Sequence, residues 1–236
     1  MVKLKNVTVT YPDNTKAIDG IDLCVNKGEN IALIGENGAG KTTLLLAIAG
    51  VLEPLNGTIE VDGIQLSKKN INEIRKRIGL VFQNPDDQLF MPFIFDDIAF
   101  GCRNFGMDEA VVVQRVEKTL DQLHINHLRN RSSLKLSGGE KRMAAIATVL
   151  AMEPSVLMFD EPTAFLDHKA RRSLIEALNK LPHTKIVATH DLSFVTHVCS
   201  RVLVLKNGHI AADGDLSLLQ DRKLLYNCGL EAIEGG

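Results

Sequence analysis

No stretch of this 236-residue sequence is apolar for long enough to cross a lipid bilayer. The longest apolar runs, such as Leu44–Ala49 and Met143–Met152, fall well short of the ~20 residues that a helix needs to span the hydrocarbon core. The opening Met-Val-Lys-Leu-Lys-Asn lacks the apolar core and small-residue cleavage site of a secretory signal, so the sequence predicts a cytoplasmic protein with reduced thiols. A basic excess is missing too. The 27 Lys and Arg stand against 29 Asp and Glu, too little positive charge to neutralise a phosphate backbone, which argues against a nucleic-acid partner. Short basic clusters at Lys68-Lys69, Arg75-Lys76-Arg77 and Arg171-Arg172 sit among helix-forming or turn residues and read as solvated faces. Cysteine is sparse: Cys24, Cys102, Cys199 and Cys228 lie far apart with no metal-ligand spacing, so neither disulfides nor a structural metal is expected. His124 and His127 have no third ligand nearby in sequence and read as ordinary helix-end residues. Internal repeats and low-complexity segments are absent.

What is present is a composition 45% hydrophobic, enough to bury a substantial core. Val2–Thr10 alternates apolar and polar residues, and Ile18–Val25 partly repeats the pattern, predicting two antiparallel strands. Ile31–Ile34 is a continuous apolar run ending at Gly35, the mark of a strand buried on both faces, and a helix follows from about Gly40 to Ala49. Gly57–Ile64, turning at Asp62-Gly63, and Ile78–Phe82 read as further strands. Between about Asn84 and Lys135 the pattern becomes helical. Val112, Val113, Val116, Leu120 and Leu123 recur at helical spacing behind a capping Asp108, which suggests a helical subdomain over 84–135 inserted into a single domain of 1–236. Beyond it, helix (Gly139–Met152), strand (Val156–Phe159), helix (Ala170–Leu181) and strand (Lys185–Ala188) alternate as a parallel α/β sheet requires. Val202–Leu205, the Asn207-Gly208 turn and Ile210–Ala212 predict a closing hairpin.

Chemistry is concentrated in three segments. Gly35-Glu36-Asn37-Gly38-Ala39-Gly40-Lys41-Thr42 fits the phosphate-loop pattern G-x-x-x-x-G-K-[ST] and lies between a buried strand and a helix, with Thr43 next. The glycines let backbone N–H groups turn toward phosphate, Lys41 reaches the β- and γ-phosphates, and the Thr42 hydroxyl can ligate Mg²⁺, so the expected ligand is a nucleoside triphosphate. Ser155–Glu161 is an apolar strand ending in two carboxylates, of which Asp160 is placed to hold Mg²⁺ through water and Glu161 to polarise the water that attacks the γ-phosphate. Such a pair alone is weak evidence; together with the phosphate loop it is strong. In Leu136-Ser137-Gly138-Gly139-Glu140, Ser137 and Glu140 make a capping box, and the two glycines leave backbone N–H groups open to a second phosphate contact.

A Leu-Ser-Gly-Gly-Glu segment placed after a phosphate loop and before an Asp-Glu strand resembles the signature of ABC ATPases, over nearly the whole chain. The resemblance implies a phosphate-loop-type parallel sheet core with an N-terminal antiparallel β layer and an inserted helical subdomain. It also implies ATP and Mg²⁺ as ligands, and a homodimer or heterodimer with a second ABC ATPase in which the phosphate loop of one subunit and the Ser-Gly-Gly segment of the other sandwich each ATP. In the family's pattern Tyr11 matches the adenine-stacking aromatic, Gln83 the Gln loop that contacts Mg²⁺, Leu166-Asp167 the D-loop and His190 the switch histidine. Taken singly, Tyr11 is also a plain strand-end residue, Gln83 a polar loop residue and His190 a core histidine; their order along the chain favours the functional reading.

Val81–Phe90 (Val-Phe-Gln-Asn-Pro-Asp-Asp-Gln-Leu-Phe) resembles ATPases of energy-coupling-factor importers, especially the cobalt and nickel group. This implies a transmembrane scaffold partner that engages Gln83–Phe90 and could meet Asp86 and Asp87, a location on the inner face of the cell membrane, and a transported metal ion or vitamin. Asn-Pro-Asp-Asp also suits a plain turn capped by Asn84. Phe165 departs from the small residue that many relatives carry before Leu-Asp. A soluble ABC ATPase would need tandem ATPase domains or a long coiled-coil insertion, neither of which is seen, and a GTPase would need Asn-Lys-x-Asp, whereas Asn26-Lys27 leads to Glu29 and Asn179-Lys180 to Pro182. Another ABC transporter subclass, or a non-catalytic nucleotide-responsive subunit, is the remaining alternative.

Overall fold

A computed structural model describes residues 1–231 of the chain. They fall into two compact units, the first made of 1–80, 155–161 and the chain from Pro182 onward, the second of 81–154 and 162–181.

The first unit opens with β1 (Val2–Thr10) and β2 (Lys16–Val25), paired antiparallel with Val2 opposite Val25. Alternation buries Val2 and Leu4, then slips at Asn6, whose φ of 49° marks an irregularity in the pairing, and resumes by burying Val7 and Val9. After β3 (Asn30–Ile34) and α1 (Lys41–Ile48), β4 (Asn56–Val61) and the short β5 (Ile64–Gln65) complete a four-stranded sheet of order β2-β1-β4-β5. The Asp62-Gly63 turn expected from the sequence separates β4 from β5. Helix α2 (Ile71–Arg77) carries the basic triplet in its last turn, where cations suit the negative end of the helix dipole.

The second sheet of this unit has the order β10-β9-β3-β8-β7-β6, from β6 (Ile78–Val81), β7 (Val156–Asp160), β8 (Thr184–Ala188), β9 (Arg201–Lys206) and β10 (His209–Gly214). β3 pairs parallel with β8 on one side and β9 on the other, and the β9–β10 hairpin is antiparallel, as expected from the Asn207-Gly208 turn. Ile31, Ala32, Leu33 and Ile34 are wholly buried, because a central parallel strand is covered on both faces.

The second unit is helical: α3 (Ile94–Asn104), α4 (Glu109–Gln122), α5 (Gly138–Leu150) and α6 (His168–Lys180), with short 3₁₀ turns before α3 and between α4 and α5. The expected segment 84–135 lies within it. On α4, Val112, Val116 and Leu120 are buried while Val113 stays 37% exposed, and Asp108 sits at the N-cap without a side-chain capping bond, so its predicted cap is positional only. The first unit closes with α7 (Leu192–Val198) and α8 (Arg222–Asn227). Among the described residues no helix is long and apolar enough to cross a membrane.

Candidate functional site

The chain leaves the buried end of β3 at Gly35 and enters α1 after Gly40. Gly40 adopts φ 105°, and a Cβ there would lie 2.5 Å from the Ala17 carbonyl oxygen, so conformation and space both demand glycine. Having no side chain, Gly40 cannot cap α1, which leaves the first-turn amides of Lys41, Thr42 and Thr43 to a ligand. Lys41 is only 6% exposed. Its Nζ donates to the carbonyls of Gly35 (2.8 Å) and Glu36 (3.1 Å), folding the amine back across the loop. Burial holds the Lys41 amine below the usual lysine range, against the charges of Glu161, Asp160 and Glu36, which pull it back up.

β7 brings the two carboxylates to this loop. Thr42 Oγ1 donates to Asp160 Oδ2 at 2.8 Å, which places two oxygen donors from different elements side by side. That pairing of hard ligands suits Mg²⁺. Glu161 Oε1 lies 4.0 Å from Lys41 Nζ, and both side chains are nearly buried. The backbone at Glu161 is left-handed, φ 43°, with its N–H donating to Ala188 O at 2.8 Å; the strand thus ends in a sharp bend that turns the carboxylate toward β8.

The end of β8 supplies the partners of Glu161. Thr189 Oγ1 donates to Oε2 at 3.0 Å, and His190 Nδ1 lies 3.0 Å from the same oxygen with its ring largely exposed. Thr189 is wholly buried and was not found by sequence reasoning; its signal is its position between an apolar strand and His190. Asp191 then caps α7, accepting from Phe194 N at 2.8 Å, which fixes the turn that presents the histidine. Tyr11 follows β1, and its hydroxyl meets Thr43 Oγ1 at 2.9 Å, tying the aromatic ring to the first turn of α1. The fold therefore assembles Tyr11, the 35–43 segment, Asp160, Glu161 and His190 within the first unit.

Ser137, Gly138, Gly139, Glu140 and Gln83 belong to the second unit. The capping box is formed: Glu140 N donates to Ser137 Oγ at 3.3 Å and Ser137 N to Glu140 Oε2 at 2.8 Å. Those bonds, from the Ser137 amide first and its hydroxyl second, hold the Glu140 carboxyl below its ordinary value. Gly139 has a structural reason of its own, because a Cβ there would sit 2.7 Å from Ala170 Cβ on α6. At Gly138 a Cβ would meet Phe165 O at 3.5 Å, an ordinary van der Waals contact. Gln83 is exposed, Asn84 accepts from Asp86 N as an Asx turn, and Asp86 is paired with Lys141 at 2.6 Å. Asp167 caps α6 through Ala170 N at 2.7 Å, and Phe165 before it is 87% exposed at φ 62°.

Comparison with known proteins places this arrangement. The ABC transporter family profile matches residues 18–164. An energy-coupling factor transporter ATP-binding protein, EcfA of Carboxydothermus hydrogenoformans, is 43% identical over 98% of this chain and 87% of its own length. Among solved structures, CbiO1 of Clostridium perfringens, described as part of the ABC transporter complex cbiONQ, superposes with a TM-score of 0.85 at 36% identity, covering 96% of this chain and 93% of that one. A dimeric ATP-binding cassette in a post-hydrolysis state, bound to ADP and Pi, reaches a TM-score of 0.81 at 29% identity over 92% of this chain and 99% of its own. The chain belongs to the ABC transporter family, as an ATP-binding, ATP-hydrolysing subunit with energy-coupling-factor ATPases among its relatives.

Proposed function

We propose that this chain powers an energy-coupling-factor-type importer, hydrolysing Mg·ATP in a head-to-tail dimer to drive uptake of cobalt or nickel ions or, within the same group, a vitamin. The observation that carries the hydrolytic part is Glu161, a nearly buried carboxylate held by Thr189 and His190 at the end of β7 and 4.0 Å from Lys41. The names of EcfA and of the cbiONQ component support the importer class.

In this reading the phosphate loop, Gly35 to Thr43, binds the triphosphate, and Lys41 exchanges its bonds to Gly35 O and Glu36 O for phosphate oxygens. Thr42, Asp160 and Gln83 hold Mg²⁺, which when bound neutralises charge on the phosphates. Glu161 takes the proton of the attacking water, and Tyr11 offers its ring to adenine. His190 Nδ1 faces Glu161 at 3.0 Å, so its Nε2 can donate to a γ-phosphate only when both ring nitrogens carry protons or when the ring turns away from the carboxylate. Ser137 with the Gly138 and Gly139 amides and Glu140 serves the ATP held by the second subunit, as the dimeric cassette bound to ADP and Pi supports.

The chain acts as one ATPase domain with 84–135 as its helical insertion, peripheral on the inner face of the membrane. Gln83–Phe90 meets a transmembrane scaffold, for which the exposed rings of Phe82, Phe90 and Phe93 supply apolar contact. The test is purification of the tagged chain from detergent-solubilised membranes with identification of every retained protein. A scaffold with a metal-binding membrane component supports cobalt or nickel import, and a scaffold with several vitamin-binding components supports a shared energy module. Retention of no membrane protein refutes the transport reading in favour of a soluble ATPase.

A further inference from the structure

Arg142, on α5, is the largest wholly enclosed side chain of the described residues, 1% exposed. Its guanidinium spans two successive carbonyls of the 82–90 segment: Nη1 donates to Phe82 O at 2.7 Å and Nη2 to Gln83 O at 2.6 Å. Three further residues of α5 meet the same segment. Gln88 Nε2 donates to Ala145 O at 2.8 Å and Thr148 Oγ1 at 2.7 Å, while its Oε1 accepts from Phe82 N at 3.3 Å. Lys141 pairs with Asp86. The first turns of α5, which begin at the Ser137 cap, therefore hold the backbone on both sides of Gln83.

A buried cation is an expensive way to join a loop to a helix, since its desolvation is offset only by well-aligned acceptors. What it adds over an apolar contact is geometry. A planar fork fixes two carbonyls in distance and orientation at once, which a lysine ammonium or a methionine cannot do. We infer that Arg142 is a positioning residue that locks Gln83 to the signature turn Ser137–Gly139, so that displacement of the Gln83–Phe90 segment by a membrane partner moves that turn with it. The inference rests on the proposed role of Gln83 in hydrolysis and goes beyond it by naming what aims that side chain.

The test is a double-mutant cycle on the full chain assembled with its membrane partner, using Arg142→Lys, Gln83→Ala and both together, read as kcat, KM for ATP and thermal midpoint. Arg142→Lys is expected to lower kcat roughly ten- to hundredfold, the scale of a catalytic group displaced by about 1 Å, while KM stays within about twofold because its fork to Phe82 O and Gln83 O grips a segment outside the phosphate loop. The double variant is expected to be no slower than the slower single variant, because a misaimed side chain that is already absent cannot be lost again. Effects that multiply overturn the inference, as does a lowered thermal midpoint with kcat per folded site unchanged. Gln83→Ala at wild-type kcat would instead remove the role of Gln83, a separate failure that leaves Arg142 nothing to aim. If Arg142→Lys does not fold, Gln88→Ala carries the same expectation.

Discussion

Glu161→Gln isolates the proposed proton-accepting role of one side chain with little disturbance around it. The amide keeps the shape of the carboxylate, and its oxygen can still accept from Thr189 Oγ1, which donates to Glu161 at 3.0 Å. The left-handed backbone at residue 161 strains Gln as much as Glu, so the backbone itself adds no change in stability. What disappears is a base for the attacking water, and a positioned general base contributes on the order of 10²–10⁴ in rate, or about 2.7–5.5 kcal/mol of barrier. The charge lost is also 4.0 Å from the Lys41 amine, where a unit pair at the effective dielectric of a partly solvated site interacts by about 4 kcal/mol. That attraction competes with the phosphates for Lys41, and the carboxylate itself repels them, so ATP affinity should hold or rise. The assays are fluorescence titration of nucleotide and single-turnover phosphate release. Turnover within about threefold of wild type would refute the assignment of Glu161 as the base.

Tyr11 separates two contributions: Tyr11→Phe loses only the bond to Thr43 and should cost about 0.5–1.5 kcal/mol of stability with ATP affinity kept, whereas Tyr11→Ala should cost about 1–3 kcal/mol of ATP binding and nothing for inorganic triphosphate. Equal losses for ATP and triphosphate in a calorimetric titration would exclude stacking. Gly40→Ala places a Cβ 2.5 Å from Ala17 O at φ 105°, and urea unfolding should show a loss of at least ~2 kcal/mol; an unchanged midpoint would mean that the loop moves freely. Asp97 is pushed up chiefly by burial, against the amides of Met91 and Phe90, which lower it. A carboxyl with a raised native pKa binds its proton more tightly folded than unfolded, so its contribution to stability is greatest below the ordinary carboxylate range and is lost as pH rises through the raised value. Asp97→Asn should remove that fall, and denaturant midpoints measured across the acidic range for both proteins would reveal parallel curves if the reasoning is wrong.

The phosphate loop, the Asp160-Glu161 strand end and the capping box at Ser137 were legible in the sequence because each is made by consecutive residues. A buried strand, a glycine bend and a helix start leave their marks within a few positions. Other features were not. Arg142 looks like one more basic residue on a helix until Phe82 and Gln83 close over it, Asp86 looks free until Lys141 arrives from α5, and the second of the two signature glycines is required by Ala170 on a different helix. Thr189 acquires its role only where β8 runs beside β7.

The sequence by itself determined the ligand class, the sheet-forming and helix-forming segments and the residues proposed for hydrolysis, because local spacing and side-chain chemistry suffice for those. Tertiary structure alone decided which oxygen faces which amine, that Glu161 is held by Thr189 and His190, and that Arg142 is enclosed. Those outcomes depend on strands and helices distant in sequence coming within hydrogen-bond range, and on the cost of leaving a buried polar group without a partner once they do.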